Sequence, residues 1–89
     1  MEAALRAIAH PGRRAILELV WDRERTSTEI AEAIRLSAPA TSQHLAVLRE
    51  AELVVVRAEG QRRLYSVRED RLAELRAALD AFWGDRLNR

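Results

Sequence analysis

The sequence predicts a mainly helical fold with one small β-hairpin. Two observations carry this. Apolar residues recur at spacings of three and four along most of the chain, the period of an amphipathic helix. Between Leu53 and Val67 that period gives way to two β-branched runs separated by a glycine turn.

Composition bounds the rest. The 89 residues suit one small domain spanning 1–89, and a chain of this size buries only a thin core, so self-association is an expected source of stability. There is no cysteine, hence no disulfide framework and no thiolate metal site, which fits a reducing, cytoplasmic setting. No apolar run is long enough to span a membrane, and no charged-then-apolar leader opens the chain. The net charge of +1 hides an asymmetry. From Arg35 to Arg68 six Arg face three Glu, while the remainder holds nine Arg against eleven acids.

In chain order, Glu2–His10 reads as a short helix with Leu5 and Ile8 on one side. A helix this short cannot persist alone in water and must dock on something. His10-Pro11 breaks it. Pro11 opens a second helix to about Asp22, with Ile16, Leu17, Leu19 and Val20 forming a broad apolar face and Trp21 at its end as core or interface filler. Thr26-Ser27-Thr28-Glu29 reads as a capping box, starting a third helix to Ile34 with Ile30, Ala31 and Ile34 inward. After the turn at Arg35-Leu36, Ser37 caps a fourth helix from about Ala38 to Ala51, with Pro39 tolerated in its first turn.

The fourth helix divides by angle. Thr41, Leu45 and Leu48 share the buried arc. Pro39, Ser42, Gln43 and Ala46 share the opposite one, which is uncharged over its first two turns, whereas the other helices carry Glu and Arg on their outer faces. Small residues allow close approach of the backbone. Ser and Gln can donate to and accept from base edges, and the helix N-terminus offers free N–H groups to a phosphate. The short turn and this uncharged face together form a helix-turn-helix pattern over 27–51. Leu53–Ala58 and Arg62–Val67 then read as two strands around Glu59-Gly60-Gln61, with Arg57, Arg62 and Arg63 at the turn end against Glu59. A helix-turn-helix followed by a basic hairpin (53–67) is the winged form, in which the wing reaches phosphates or the minor groove.

Glu69–Leu87 is the last helix. Leu72, Leu75, Leu79 and Phe82 recur at three and four, with Trp83 and Leu87 widening the stripe. This face exceeds what one small domain requires, and it matches the orphaned first helix. The residues Leu5, Ile8, Leu72, Leu75, Leu79, Phe82 and Trp83 are therefore expected to form a homodimer interface, the stripe Leu72, Leu75, Leu79 and Phe82 having little partner within the chain.

The order HPGRRAILELV, then TEIAEAIRLSAPATSQHLAVLREAELV, then EGQRRLYSV, resembles the arsenic-repressor (ArsR/SmtB) type of bacterial winged-helix regulator from Leu5 to about Leu87. The resemblance implies a homodimer that binds double-stranded DNA at imperfect inverted repeats, acting as a transcriptional repressor. In many members DNA is released on sensing a metal or thiol oxidation. It implies that Ser37, Ala38, Ala40, Ser42, Gln43 and His44 lie at the DNA face of the fourth helix, with Arg62 and Arg63 in the wing. The angular reading agrees on Ser42 and Gln43 but puts His44 on the flank, where a phosphate contact or a helix-packing hydrogen bond is expected.

Two departures stand out. The metal sensors of that family use a Cys-x-Cys motif on the third helix or Asp and His ligands on the last. Here the third helix has Thr28 and Glu29, and the last has Asp70 and Asp80 without His. With His10 and His44 on separate elements, neither a metal site nor a cofactor is expected. The second departure is Glu52, where the family usually has Gly: either the position takes positive φ, at which a side chain costs roughly 1 kcal/mol, or the helix simply ends differently here. An enzyme would need convergent nucleophile, base or metal groups, and none is apparent. The competing reading is a winged-helix protein-interaction module without DNA binding, which predicts a neutral or acidic wing and an apolar outer face on the fourth helix.

Overall fold

The computed structural model describes residues 1–87; the side chains of Asp85 and Leu87 are outside the description, so the expected place of Leu87 in the stripe falls outside it too. The elements run α1 (Glu2–Ile8), α2 (Pro11–Leu19), β1 (Arg25–Thr26), α3 (Ser27–Ile34), α4 (Ala38–Glu50), β2 (Val54–Glu59), β3 (Arg62–Val67) and α5 (Glu69–Leu87). The strands form one antiparallel sheet in the order β1-β3-β2.

Caps set the helix bounds. α1 ends at Ile8, two residues short of the expected His10, because His10 takes extended geometry (φ −92°, ψ 125°) as the N-cap of α2. Its Nδ1 accepts from the Gly12 N–H at 2.9 Å, serving one of the orphan donors at the helix start. α2 stops at Leu19 rather than Asp22. The capping box of α3 forms as expected: Thr26 Oγ1 accepts from the Glu29 N–H at 3.1 Å, and the Thr26 N–H donates to Glu29 Oε1 at 3.0 Å. Ser37 caps α4 by accepting from the Ala40 N–H at 3.2 Å. The turn after α4 places Glu52 at φ 61°, in the left-handed region, so of the two readings of that position positive φ is the one observed.

β1 has no counterpart in the sequence reading. Two residues are too few to show a period, yet Arg25 and Thr26 pair with Tyr65 and Leu64 of β3. β2 begins at Val54, one residue later than expected, and runs on to Glu59, which pairs with Arg62 across a two-residue turn. Gly60 (φ 63°) takes the first central position of that turn, where type II′ geometry calls for glycine.

The core lies where α2, α3 and α4 meet the sheet. Ile16, Val20, Ile30, Leu45, Leu48 and Leu53 are fully enclosed there, each contributing about 1.5–3 kcal/mol of burial. The inward arc predicted for α4 is observed in full: Thr41, Leu45 and Leu48 are all buried. α3 turns Ile30 fully in and half-buries Ala31 and Ile34. α5 leaves this body, giving extents of 51 × 22 × 20 Å. Of its described side chains only Leu75 is buried.

Candidate nucleic-acid interface

α4 is anchored from beneath by its apolar arc, so its outer arc is presented by default. Ser37, Ala38, Pro39, Ser42, Gln43 and Ala46 are exposed, while Ala40 is half-buried. The exposed surface of the first two turns therefore carries no charged side chain. Ala38 and Ser42 also line a cleft against Ser27, Thr28 and Glu32 of α3.

His44 does not join that face. It is half-buried, its ring centroid 4.5 Å from that of His10, and Arg13 Nη1 approaches its Nδ1 at 3.5 Å. On the flank it packs against the start of α2, where His10 and Arg13 face it. Two histidines that the sequence assigned to separate elements are thus neighbours in space. Gly12 permits the approach, since a Cβ there would lie 3.1 Å from His10 Cε1. Among the described residues no group of three or more His, Asp or Glu could hold a metal ion.

The wing's cations differ in their engagement. Arg57 is a clamp: its Nε and Nη2 donate to Glu24 at 3.0 and 2.7 Å, and Nη2 also lies 3.1 Å from Glu59. Arg62 donates to Glu59 at 2.8 Å. The hydrogen bond from Arg57 holds the Glu24 carboxyl below its ordinary range, and those from Arg62 and then Arg57 do the same for Glu59. Arg63 is exposed and makes no ion pair among the described residues. Arg62 and Arg63 also flank a cleft shared with Thr28 and Gln61.

Arg13 and Arg14 carry α1. Arg13 donates to the Ala7 and Arg6 carbonyls at 2.7 and 3.0 Å, and Arg14 to those of Ile8 and Ala9 at 2.7 and 3.2 Å. These carbonyls lie at the end of α1, where a helix runs out of backbone donors, though that of Arg6 also accepts from the Ala9 N–H.

The terminal-helix face needs one correction. Leu75 is only 4% exposed and belongs to the chain's own core; Ile8, Leu72 and Leu79 are half-buried against it. Of the stripe expected to have little partner within the chain only Phe82 is exposed, as are Leu5 and Trp83 of the same expected interface. Phe82 and Trp83 meet edge to face at 4.9 Å, and with Met1, Leu5 and Leu79 they line an apolar groove joining α1 to α5. Trp21, expected as core or interface filler, is 50% exposed and so is not core; it lines a second groove with Leu72, Leu75 and Leu79.

Residues 10–56, from the cap of α2 to midway along β2, match the model of the bacterial regulatory protein, arsR family. The chain belongs to the arsR family. Its arsR-type relatives include the HTH-type transcriptional regulator Rv2034 of Mycobacterium tuberculosis, 43% identical over 92% of this chain and 77% of that protein. The transcriptional repressor SdpR of Bacillus subtilis is 37% identical over 75% of this chain and 74% of its own length. Among solved structures, a homodimeric winged helix-turn-helix DNA-binding domain from Mycobacterium bovis superposes with a TM-score of 0.77 at 31% identity, covering 97% of this chain and 80% of that one. The arsR-type winged fold is thus shared across the helix-turn-helix, the wing and both terminal helices. Among the described residues no helix is long and apolar enough to cross a membrane.

Proposed function

We propose that this chain is a sequence-specific DNA-binding transcriptional regulator, a repressor that occupies an inverted-repeat operator as a homodimer. The observation that carries the reading is the uncharged, exposed face of α4 set beside a wing that offers Arg63. Ser42 and Gln43 would meet base edges in the major groove, with Ser37, Ala38 and Ala40 at the helix entrance letting the backbone approach phosphate. Arg63, and Arg62 once it leaves Glu59, would meet phosphate or a narrow minor groove. His44 would act from behind, positioning α4 on α2. The exposed α1 and α5 side chains, Leu5, Phe82 and Trp83, supply an apolar surface for a second copy, and the homodimeric relative supports that assembly. Neither a catalytic role nor a cofactor is assigned to the chain.

The test is binding to a duplex spanning the chain's own promoter, compared with a random duplex at several salt concentrations. A repressor of this kind holds the promoter duplex far more tightly, and its affinity falls with salt on both. Equal affinity for the two duplexes at every salt concentration overturns the reading.

A further inference from the structure

The chain's two histidines meet where the start of α2 touches the flank of α4, and their tautomers follow from their partners. His10 Nδ1 accepts from the Gly12 N–H, so that nitrogen carries no proton. His44 Nδ1 faces Arg13 Nη1 at 3.5 Å, and because a guanidinium can only donate, this nitrogen too is the acceptor. Burial and the neighbouring charges disfavour the protonated form of His44. In a neutral ring bonded in this way the proton sits on Nε2. Each imidazole therefore has an Nε2–H left to give.

Among the described residues nothing takes those donors. His44 Nε2 has no hydrogen-bond partner, yet it is not among the enclosed unpaired atoms, so it opens to solvent. His10 is exposed. No acid answers the cluster either: His10, Arg13 and His44 make no ion pair among the described residues. Two N–H donors and a guanidinium thus come together without an anion. Gly12 keeps the space between the rings open, since a Cβ there would stand 3.1 Å from His10 Cε1 and 3.6 Å from His44 Nε2.

The cluster also lies where a duplex backbone would run. A helix is about 10–12 Å across and the major groove about 12 Å wide, so a helix that reads bases with one arc sets its flanks against phosphates. His44 follows Gln43 by one residue, roughly 100° further round α4.

We propose that His10, Arg13 and His44 form a seat for one DNA backbone phosphate, held by the two Nε2–H groups and the guanidinium. This rests on the DNA-binding reading above and adds to it a contact from α2, outside both α4 and the wing. His44 keeps its positioning role through Nδ1 and gains a second one through Nε2.

The test replaces the phosphates of the promoter duplex one at a time by uncharged methylphosphonate. Wild type should lose affinity by roughly three- to tenfold at one phosphate of each half-site, the worth of a hydrogen bond to a charged group. His44→Phe keeps a ring and loses the donor, so it should lose most of its sensitivity at that phosphate and keep it at the others. His44→Gln, whose amide N–H stands near the place of Nε2, should recover it. Nitrogen NMR shifts at pH 7.5 should show both imidazoles protonated on Nε2. Wild-type sensitivity at every phosphate in His44→Phe overturns the seat, and so does a loss spread evenly over all of them, which would mark a purely structural role. An Nδ1–H tautomer at His44 overturns it as well. Each of these leaves the regulator standing so long as wild type prefers the promoter duplex to a random one. Equal affinity for the two duplexes overturns that reading and the seat with it.

Discussion

The imidazoles of His10 and His44 lie 4.5 Å apart, tilted by 50°, where the start of α2 meets the flank of α4. Burial first, and then the charges of His10 and Arg13, hold the His44 pKa below the ordinary imidazole value. The folded state therefore favours neutral His44, and on acidification the unfolded chain takes up the proton first. The stability this contributes is complete above about pH 6.5 and is lost as pH falls through the lowered folded pKa. Urea midpoints should hold steady from pH 7.5 to about 6.5 and then decline, and His44→Gln should flatten the decline. An unchanged pH profile in the variant would show that the cluster does not titrate with folding.

Thr41 Oγ1 is buried in the arc that α4 turns inward and finds no hydrogen-bond partner among the described residues. Valine keeps the shape and the β-branch while removing the hydroxyl. Thr41→Val should raise the unfolding free energy by about 1 kcal/mol, the low end of what an unpaired buried polar group costs. A loss of stability in urea denaturation would mean that the hydroxyl is satisfied in solution.

Glu52 combines a backbone cost with a side-chain gain. Its φ of 61° suits glycine, yet its carboxylate lies 3.0 Å from the Arg71 guanidinium and ties the end of α4 to α5. Glu52→Gly removes roughly 1 kcal/mol of backbone strain and an exposed pair worth at most about that much. It should leave stability unchanged or slightly higher. Glu52→Ala keeps the strain and loses the pair, so it should be the least stable of the three. Melting curves that rank alanine above glycine would contradict this account of the turn.

Gln43 and Arg63 should fail differently on DNA. Gln43→Ala should cost about 1–3 kcal/mol per half-site on the operator and little on random duplex. Arg63→Ala should weaken both and flatten the slope of log affinity against log salt by about one unit for every phosphate left without its cation. Arg62→Ala should do less, because Arg62 must first part from Glu59. Titrations of each variant on both duplexes decide it: equal losses for Gln43→Ala, or a larger slope change for Arg62→Ala than for Arg63→Ala, would reverse the assignment.

What the sequence made legible was angle, and what it hid was distance. The inward arc of α4 and the N-terminal caps of α3 and α4 depend on residues within one or two turns, so spacing alone reveals them. Periodicity could not separate Leu75 from Phe82. Both share the stripe of α5, but only the first lies over the body. Trp21 had the composition of filler and lies at a groove, because α2 ends before reaching it. The His10–His44 contact and the Arg57–Glu24 clamp join residues far apart in the chain and leave no local trace. β1 escaped notice because two residues cannot show a period.

That short strand has a mechanical consequence. Thr26 pairs with Leu64 in the sheet while its side chain caps α3, and beside it Arg57 of β2 grips Glu24. The wing is thus bolted to the base of the helix-turn-helix and does not hang from it by two flexible strands. On the proposed operator, wing and reading helix would behave as the two jaws of a caliper with a set gap. A jaw held at its base in this way would pass part of any adjustment to the duplex, at an elastic cost that depends on its sequence. Base pairs that no side chain touches would then enter the affinity through their stiffness.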